Sequence, residues 1–240
     1  KNLFKDCGIN DYERAFDKNM EETYRLIEEM TNELGLTYIF RYPVDGHNMK
    51  VIVKDKVASG DFSDLYKSGG TVPAEVMKQE LDGGSFETVP ELLGKAGLEA
   101  AEKLAKTKDS QIVDLIIDKA VIALISRKSE EIDCEALTEY TRAKIDLINV
   151  KSALRLIRIK KDAYTAAKVF AEGGSFSVKE LEQAYTMGYD GIKSLIVKMK
   201  NGERISEAVN EIKNGGSIGV FEKQADECFR ELFENTKIIP

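Results

Sequence analysis

Apolar residues return every three or four positions along most of this chain, and that helical period sets the first expectation. Over residues 11–34 they fall at Tyr12, Phe16, Met20, Tyr24, Ile27, Met30 and Leu34, while Glu13, Asp17, Glu21, Glu28 and Glu29 lie mostly off the stripe. Gly35 follows as a C-cap. The same period predicts helices over 45–58, 73–82, 89–106, 109–127, 131–160, 162–171, 177–187, 189–200 and 203–214, with a last one from about 219. Only LTYIFRYP, residues 36–43, is strand-like. One short strand makes no sheet, so it reads as an extended connector ended by Pro43, and the fold class is all-α with no substantial sheet.

Glycine pairs punctuate the helices: Gly69-Gly70-Thr71, Gly83-Gly84-Ser85, Gly173-Gly174-Ser175 and Gly215-Gly216-Ser217. A glycine ends one helix in a left-handed conformation, and a hydroxyl soon after it caps the next. Ser177 with Glu180, and Thr88 with Glu91, have the spacing of capping boxes. A phosphate-cradling loop needs Gly-Lys-Ser/Thr after a strand, and neither is present.

The chain repeats itself. Asp45, Asn48, Lys50 and Lys54 correspond to Asp146, Asn149, Lys151 and Arg155 at a constant offset. A short insertion then brings Gly69, Gly70, Thr71 and Val72 onto Gly173, Gly174, Ser175 and Phe176, and Met77 and Leu81 onto Leu181 and Tyr185. Repetition at this scale implies repeated subdomains rather than one catalytic constellation. It divides the chain into residues 1–130, holding the first copy, and 131–240, holding the second.

Helical phase separates the conspicuous residues of 146–163. At about 100° per residue, Lys144, Lys151, Arg155 and Arg158 share one narrow stripe, while Asp146 and Asn149 point to nearly the opposite side, with Val150, Ala153 and Ile157. Two readings of Asp146 and Asn149 are open: a clamp satisfying loop or helix-end backbone groups, or a carboxylate site for a ligand or cation. The clamp is favoured, because one carboxylate with one amide is a thin cation site. Arg142, one turn before Asp146, can neutralise it. The basic stripe is either a solvated face or an interaction surface, and phase alone does not decide between them.

Composition narrows the function. The net charge of −7 and the lack of aromatics between the basic residues argue against a nucleic-acid binder. Cys7, Cys134 and Cys228 are far apart and in no metal spacing, which suits a reducing compartment. No stretch approaches the ~18 apolar residues of a membrane span. His47, the single histidine, is placed at a helix start with Asp45 as N-cap; with no second histidine or cysteine beside it, neither catalytic nor metal duty is expected. A helical enzyme acting on a phosphorylated substrate would need Asp45, Asp146 and His47 to converge. A helical adaptor binding a peptide or partner helix in a basic cleft is the alternative non-enzymatic reading.

Four blocks in order, YPVDGHNMKVIVK, DSQIVDLIIDKA, KIDLINVKSALRLIRIKKD and FAEGGSFSVKELEQAY, resemble the C subunit of bacterial and archaeal V/A-type ATPases, related to the eukaryotic d subunit. The resemblance implies an all-helical, funnel-shaped protein of similar subdomains about a pseudo-threefold axis, with a third copy expected beyond Pro240 and an opening segment expected before Lys1. It implies a non-catalytic central-stalk component with no cofactor and no metal, seated on the cytoplasmic face of the cell membrane. Its partners would be the D and F subunits of the central shaft and the membrane proteolipid ring, between which it transmits torque for ATP-coupled proton or sodium transport. Lys50, Lys54, Lys151, Arg155 and Arg158 are the residues expected to meet the shaft, and Asp45, Asn48, Gly69, Gly70, Asp146, Asn149, Gly173 and Gly174 are the structural signature of the repeat.

Overall fold

The computed structural model describes residues 12–31, 35–199 and 202–234. Among them the chain forms eleven α-helices and one 3-10 turn, Ser63–Leu65, with no strand. The all-α expectation holds. The chain divides into two compact units, Lys1–Lys128 and Ser129–Pro240. Leu34, Cys7 and Lys200, which enter the helix and cysteine expectations above, lie outside the described residues.

The first unit opens with α1 (Tyr12–Thr31). Gly35 is left-handed, at φ +92°, and its carbonyl accepts from Tyr38 N at 3.1 Å as the chain turns into α2 (Tyr38–Ala58). Here one expectation is corrected: residues 38–43 are not an extended connector but the first turns of α2, with Pro43 inside the helix. Aromatic and β-branched residues favour strands only weakly, and burial of Ile39 and Tyr42 against the unit's core overrides that preference. Pro43 is tolerated on the exposed side of the helix. Asp45 is consequently a mid-helix residue and not an N-cap, and His47 is not at a helix start.

After α2 come α3 (Ala74–Gly83), α4 (Glu91–Thr107) and α5 (Gln111–Glu131). Met49 and Val53 of α2, Met77 of α3, Leu93 and Ala100 of α4, and Val113 and Ile117 of α5 are fully buried. Each large apolar side chain so buried contributes about 1.5–3 kcal/mol. The box expected at Thr88 is not formed, because α4 starts at Glu91 itself behind Pro90, leaving Thr88 outside the helix. The Glu80 carboxylate of α3 ties this turn instead, accepting from the amides of Glu87, Thr88 and Val89 at 3.1, 2.9 and 3.0 Å.

The second unit contains α6 (Glu135–Arg158), α7 (Ala163–Val169), α8 (Val178–Thr186), α9 (Gly188–Ile196), α10 (Gly202–Lys213) and α11 (Ile218–Glu234). The box at Ser177 and Glu180 is present in both directions: Ser177 N donates to Glu180 Oε2 at 2.9 Å, and Glu180 N to Ser177 Oγ at 3.3 Å. Val150, Ala153 and Leu154 of α6 enter one core with Phe170, Leu181, Ile192, Ile196, Ala208 and Phe221. This wrapping explains why α6 carries apolar residues on most of its sides.

Candidate functional site

The acid and amide of each repeat are buried and spent on backbone. Asp45 and Asn48 lie on α2, Asp146 and Asn149 on α6, and each is no more than 1% exposed. Asp146 Oδ1 accepts from Ser175 N at 2.9 Å and Phe176 N at 3.3 Å. Asp45 Oδ1 accepts from Thr71 N at 2.8 Å and Val72 N at 3.3 Å, and its other oxygen takes the Thr71 hydroxyl proton in a hydrogen bond. The amides complete the tie by pairing with both polar groups of a single backbone residue. Asn149 donates Nδ2 to Ala171 O at 2.8 Å and accepts from Ala171 N at 2.9 Å; Asn48 does the same with Lys67 at 2.9 and 2.8 Å.

The glycines belong to the same device. Gly69 and Gly173 are left-handed, at φ +87° and +99°. A Cβ at Gly70 or Gly174 would stand 2.3 or 2.2 Å from Oδ1 of Asp45 or Asp146, so the loop can approach the carboxylate only without a side chain there. The phrase Asp-x-x-Asn, then Gly-Gly-hydroxyl, is therefore one clamp, made twice. The geometry favours the clamp over a cation site, because both carboxylates are buried and directed at loop N–H donors of their own unit. Among the described residues there is no group of three or more His, Cys, Asp or Glu able to hold a metal ion.

Burial lifts both carboxyls above the ordinary aspartate value. The hydroxyl and amide donors oppose this, and so does an arginine four residues earlier, Arg41 in one copy and Arg142 in the other. Arg41 also donates to the carbonyls of Gly69 and Gly70, locking the loop from its other side. Arg142 is the smallest of these influences on Asp146. Arg41 is absent from the sequence expectations, although it precedes Asp45 by the same four residues.

Four of the basic residues brace elements inside each unit. Lys50 pairs with Asp118 at 2.6 Å and Lys54 with Asp114 at 2.9 Å, tying α2 to α5. Lys151 and Arg155 share Glu222 at 2.5 and 3.1 Å, tying α6 to α11. Hydrogen bonding to Lys151 leads the effects that hold the Glu222 carboxyl below its ordinary value. Arg158 donates to the Gly216 carbonyl at 3.4 Å. Glu222 follows Asp118 at the offset that carries Gly69 onto Gly173, so the brace repeats with the clamp. That offset is the signal in the sequence for both acids.

His47 faces the Leu65 carbonyl, with Nε2 2.9 Å away. His47 and Asp45 serve different stretches of loop in the first unit, and Asp146 serves a loop in the second. A cleft of about 310 Å³ in the second unit is lined by Arg142, Asp146, Phe176, Lys198, Met199 and Cys228. Its one buried carboxylate is the clamp, and its walls are largely apolar. Among the described residues no helix is long and apolar enough to cross a membrane.

Two helical units, each closed by the same buried clamp and outer brace, define a repeated structural scaffold whose polar chemistry is used to hold shape. The chain belongs to the ATP synthase (C/AC39) subunit family, whose model matches residues 3–238. It is 24% identical to the C subunit of the A-type ATP synthase of Haloquadratum walsbyi over 238 residues, covering 93% of this chain and 68% of that protein. It is 25% identical to the corresponding A-type ATP synthase C subunit of Haloferax volcanii over 245 residues, covering 93% and 67%. The chain thus spans about two thirds of the length of these relatives.

Proposed function

We propose that this chain is a non-catalytic component of the central stalk of a rotary A/V-type ATP synthase. In this reading it links the D and F subunits of the shaft to the membrane proteolipid ring on the cytoplasmic face and passes torque between them. The observation that carries the reading is the family match over nearly the whole chain. The interior supports it: a torque-bearing part needs stiffness, and buried side-chain ties across loops supply stiffness without a reactive centre. The funnel about a pseudo-threefold axis belongs to the same proposal, with the repeated clamp as its building unit.

The basic stripes fit this role as braces. Lys50, Lys54, Lys151 and Arg155 have more N–H donors than their bonds to Asp118, Asp114 and Glu222 use, so a shaft carboxylate can share them. Affinity purification of the tagged chain from detergent-solubilised membranes tests the reading. The expected eluate contains the nucleotide-binding head, the shaft and the proteolipid together; recovery of the chain without any of them refutes it.

A further inference from the structure

Residues 158–168 run from the end of α6 through the connecting turn into α7 and carry four cations, Arg158, Lys160, Lys161 and Lys168, against one carboxylate, Asp162, in a chain of net charge −7. Asp162 is occupied as the N-cap of α7, accepting from Thr165 N at 2.8 Å. All five charged residues are exposed. Among them Ile159 and Tyr164 are 61% and 73% exposed, with Lys168 Nζ 3.9 Å from the centroid of the Tyr164 ring. The turn is anchored from within: Lys160 is left-handed at φ +54°, and the buried Tyr185 donates its hydroxyl to the Lys161 carbonyl at 2.7 Å. These apolar tips and their ring of cations are therefore presented by fixed backbone.

The first unit has a turn in the same register with the opposite charge. Ser59, left-handed at φ +53°, takes the place of Lys160, and Asp61 and Asp64 follow it, with Lys67 at the position of Lys168 and a net charge of about −1. Phe62 and Leu65 are exposed there as Ile159 and Tyr164 are in the second unit. The clamp and the brace are common to both units, whereas the basic surface is found in one, so the repeat's architecture does not account for it.

We propose that the 158–168 turn docks on an anionic lipid surface, its cations against headgroup phosphates and Ile159 and Tyr164 in the interfacial layer. Juxtaposed cations and interfacial aromatic and aliphatic side chains are the recognised means of peripheral attachment to such a surface. Convex apolar tips ringed by flexible lysines suit a deformable headgroup layer better than an acidic protein, which needs a shaped counter-surface. The inference requires no shaft contact and stands apart from the torque reading.

The test is co-sedimentation of the full chain with vesicles of phosphatidylcholine alone, and of equal parts phosphatidylcholine and phosphatidylglycerol. Binding to the anionic vesicles alone is expected, and it should weaken as salt rises. Lys160→Glu with Lys161→Glu should lower the partition by about tenfold or more. Ile159→Ser with Tyr164→Ser should lower it severalfold at unchanged charge. Lys103→Glu with Lys106→Glu on α4 alters net charge equally and should leave binding in place, circular dichroism confirming the helix content of every variant. Absence of anionic-vesicle binding, equal binding to neutral vesicles, or equal loss in the α4 variant overturns the proposal. Retention on immobilised polyglutamate without vesicle binding assigns the turn to an acidic protein and overturns it as well.

Discussion

Asp146 is held where a carboxylate is costly, and there it accepts from the amides of Ser175 and Phe176. Asp146→Ala leaves Ser175 N and Phe176 N unpaired and should cost about 3 kcal/mol of unfolding free energy. Gly174→Ala acts from the other side, driving a Cβ into Oδ1, and should cost about 2 kcal/mol. Urea unfolding at neutral pH checks both; wild-type stability in either variant would mean that the clamp does not hold the unit together. The clamp is legible in the sequence, since acid, amide and glycines recur in register and helical phase turns Asp146 and Asn149 inward. Arg41 is not, and the reason is physical: residues 36–43 have strand propensity and a proline, which hides that Arg41 stands one turn before Asp45 on the same helix. Its guanidinium on the Gly69 and Gly70 carbonyls becomes visible only once α2 is seen to start at Tyr38.

At the scale of elements, periodicity finds the helices because tertiary packing reinforces an apolar stripe. It fails where a short run has both strand propensity and a proline. It also cannot say which helices face one another. Phase places the cations at positions 50, 54, 151 and 155 on their faces, but their acceptors on α5 and α11 depend on tertiary packing. The junction of α3 and α4 shows a related limit, since Thr88 has the spacing of a cap while Glu80 ties the turn before the helix. The Glu80 carboxyl lies below the ordinary glutamate value of 4.5, chiefly through the bond from Val89 N. Its folded form binds fewer protons than its unfolded form, so its contribution is present above that ordinary value and is lost as pH falls through the folded value. Hydrogen-exchange protection of the Thr88 and Val89 amides should therefore drop on acidification below about pH 4.5. In Glu80→Gln, protection should be lower at neutral pH and insensitive to pH across that window. Unchanged protection in the variant would assign the stability of this turn elsewhere.

For the whole molecule, the repeat explains how a chain with one histidine and no metal cluster among its described residues can be tightly specified. Its buried polar groups are arranged to fix loops on helices, and its exposed charges brace one helix against another. Within the ATP synthase subunit family, such a construction suits the proposed transfer of force between partners. The most direct measurement compares ATP hydrolysis with ATP-driven ion pumping in reconstituted membranes stripped of this subunit and then resupplied with it. A torque-transmitting role predicts that pumping collapses on removal while the head still hydrolyses ATP, and that adding the subunit back restores pumping. Pumping that continues undiminished in its absence would contradict that role.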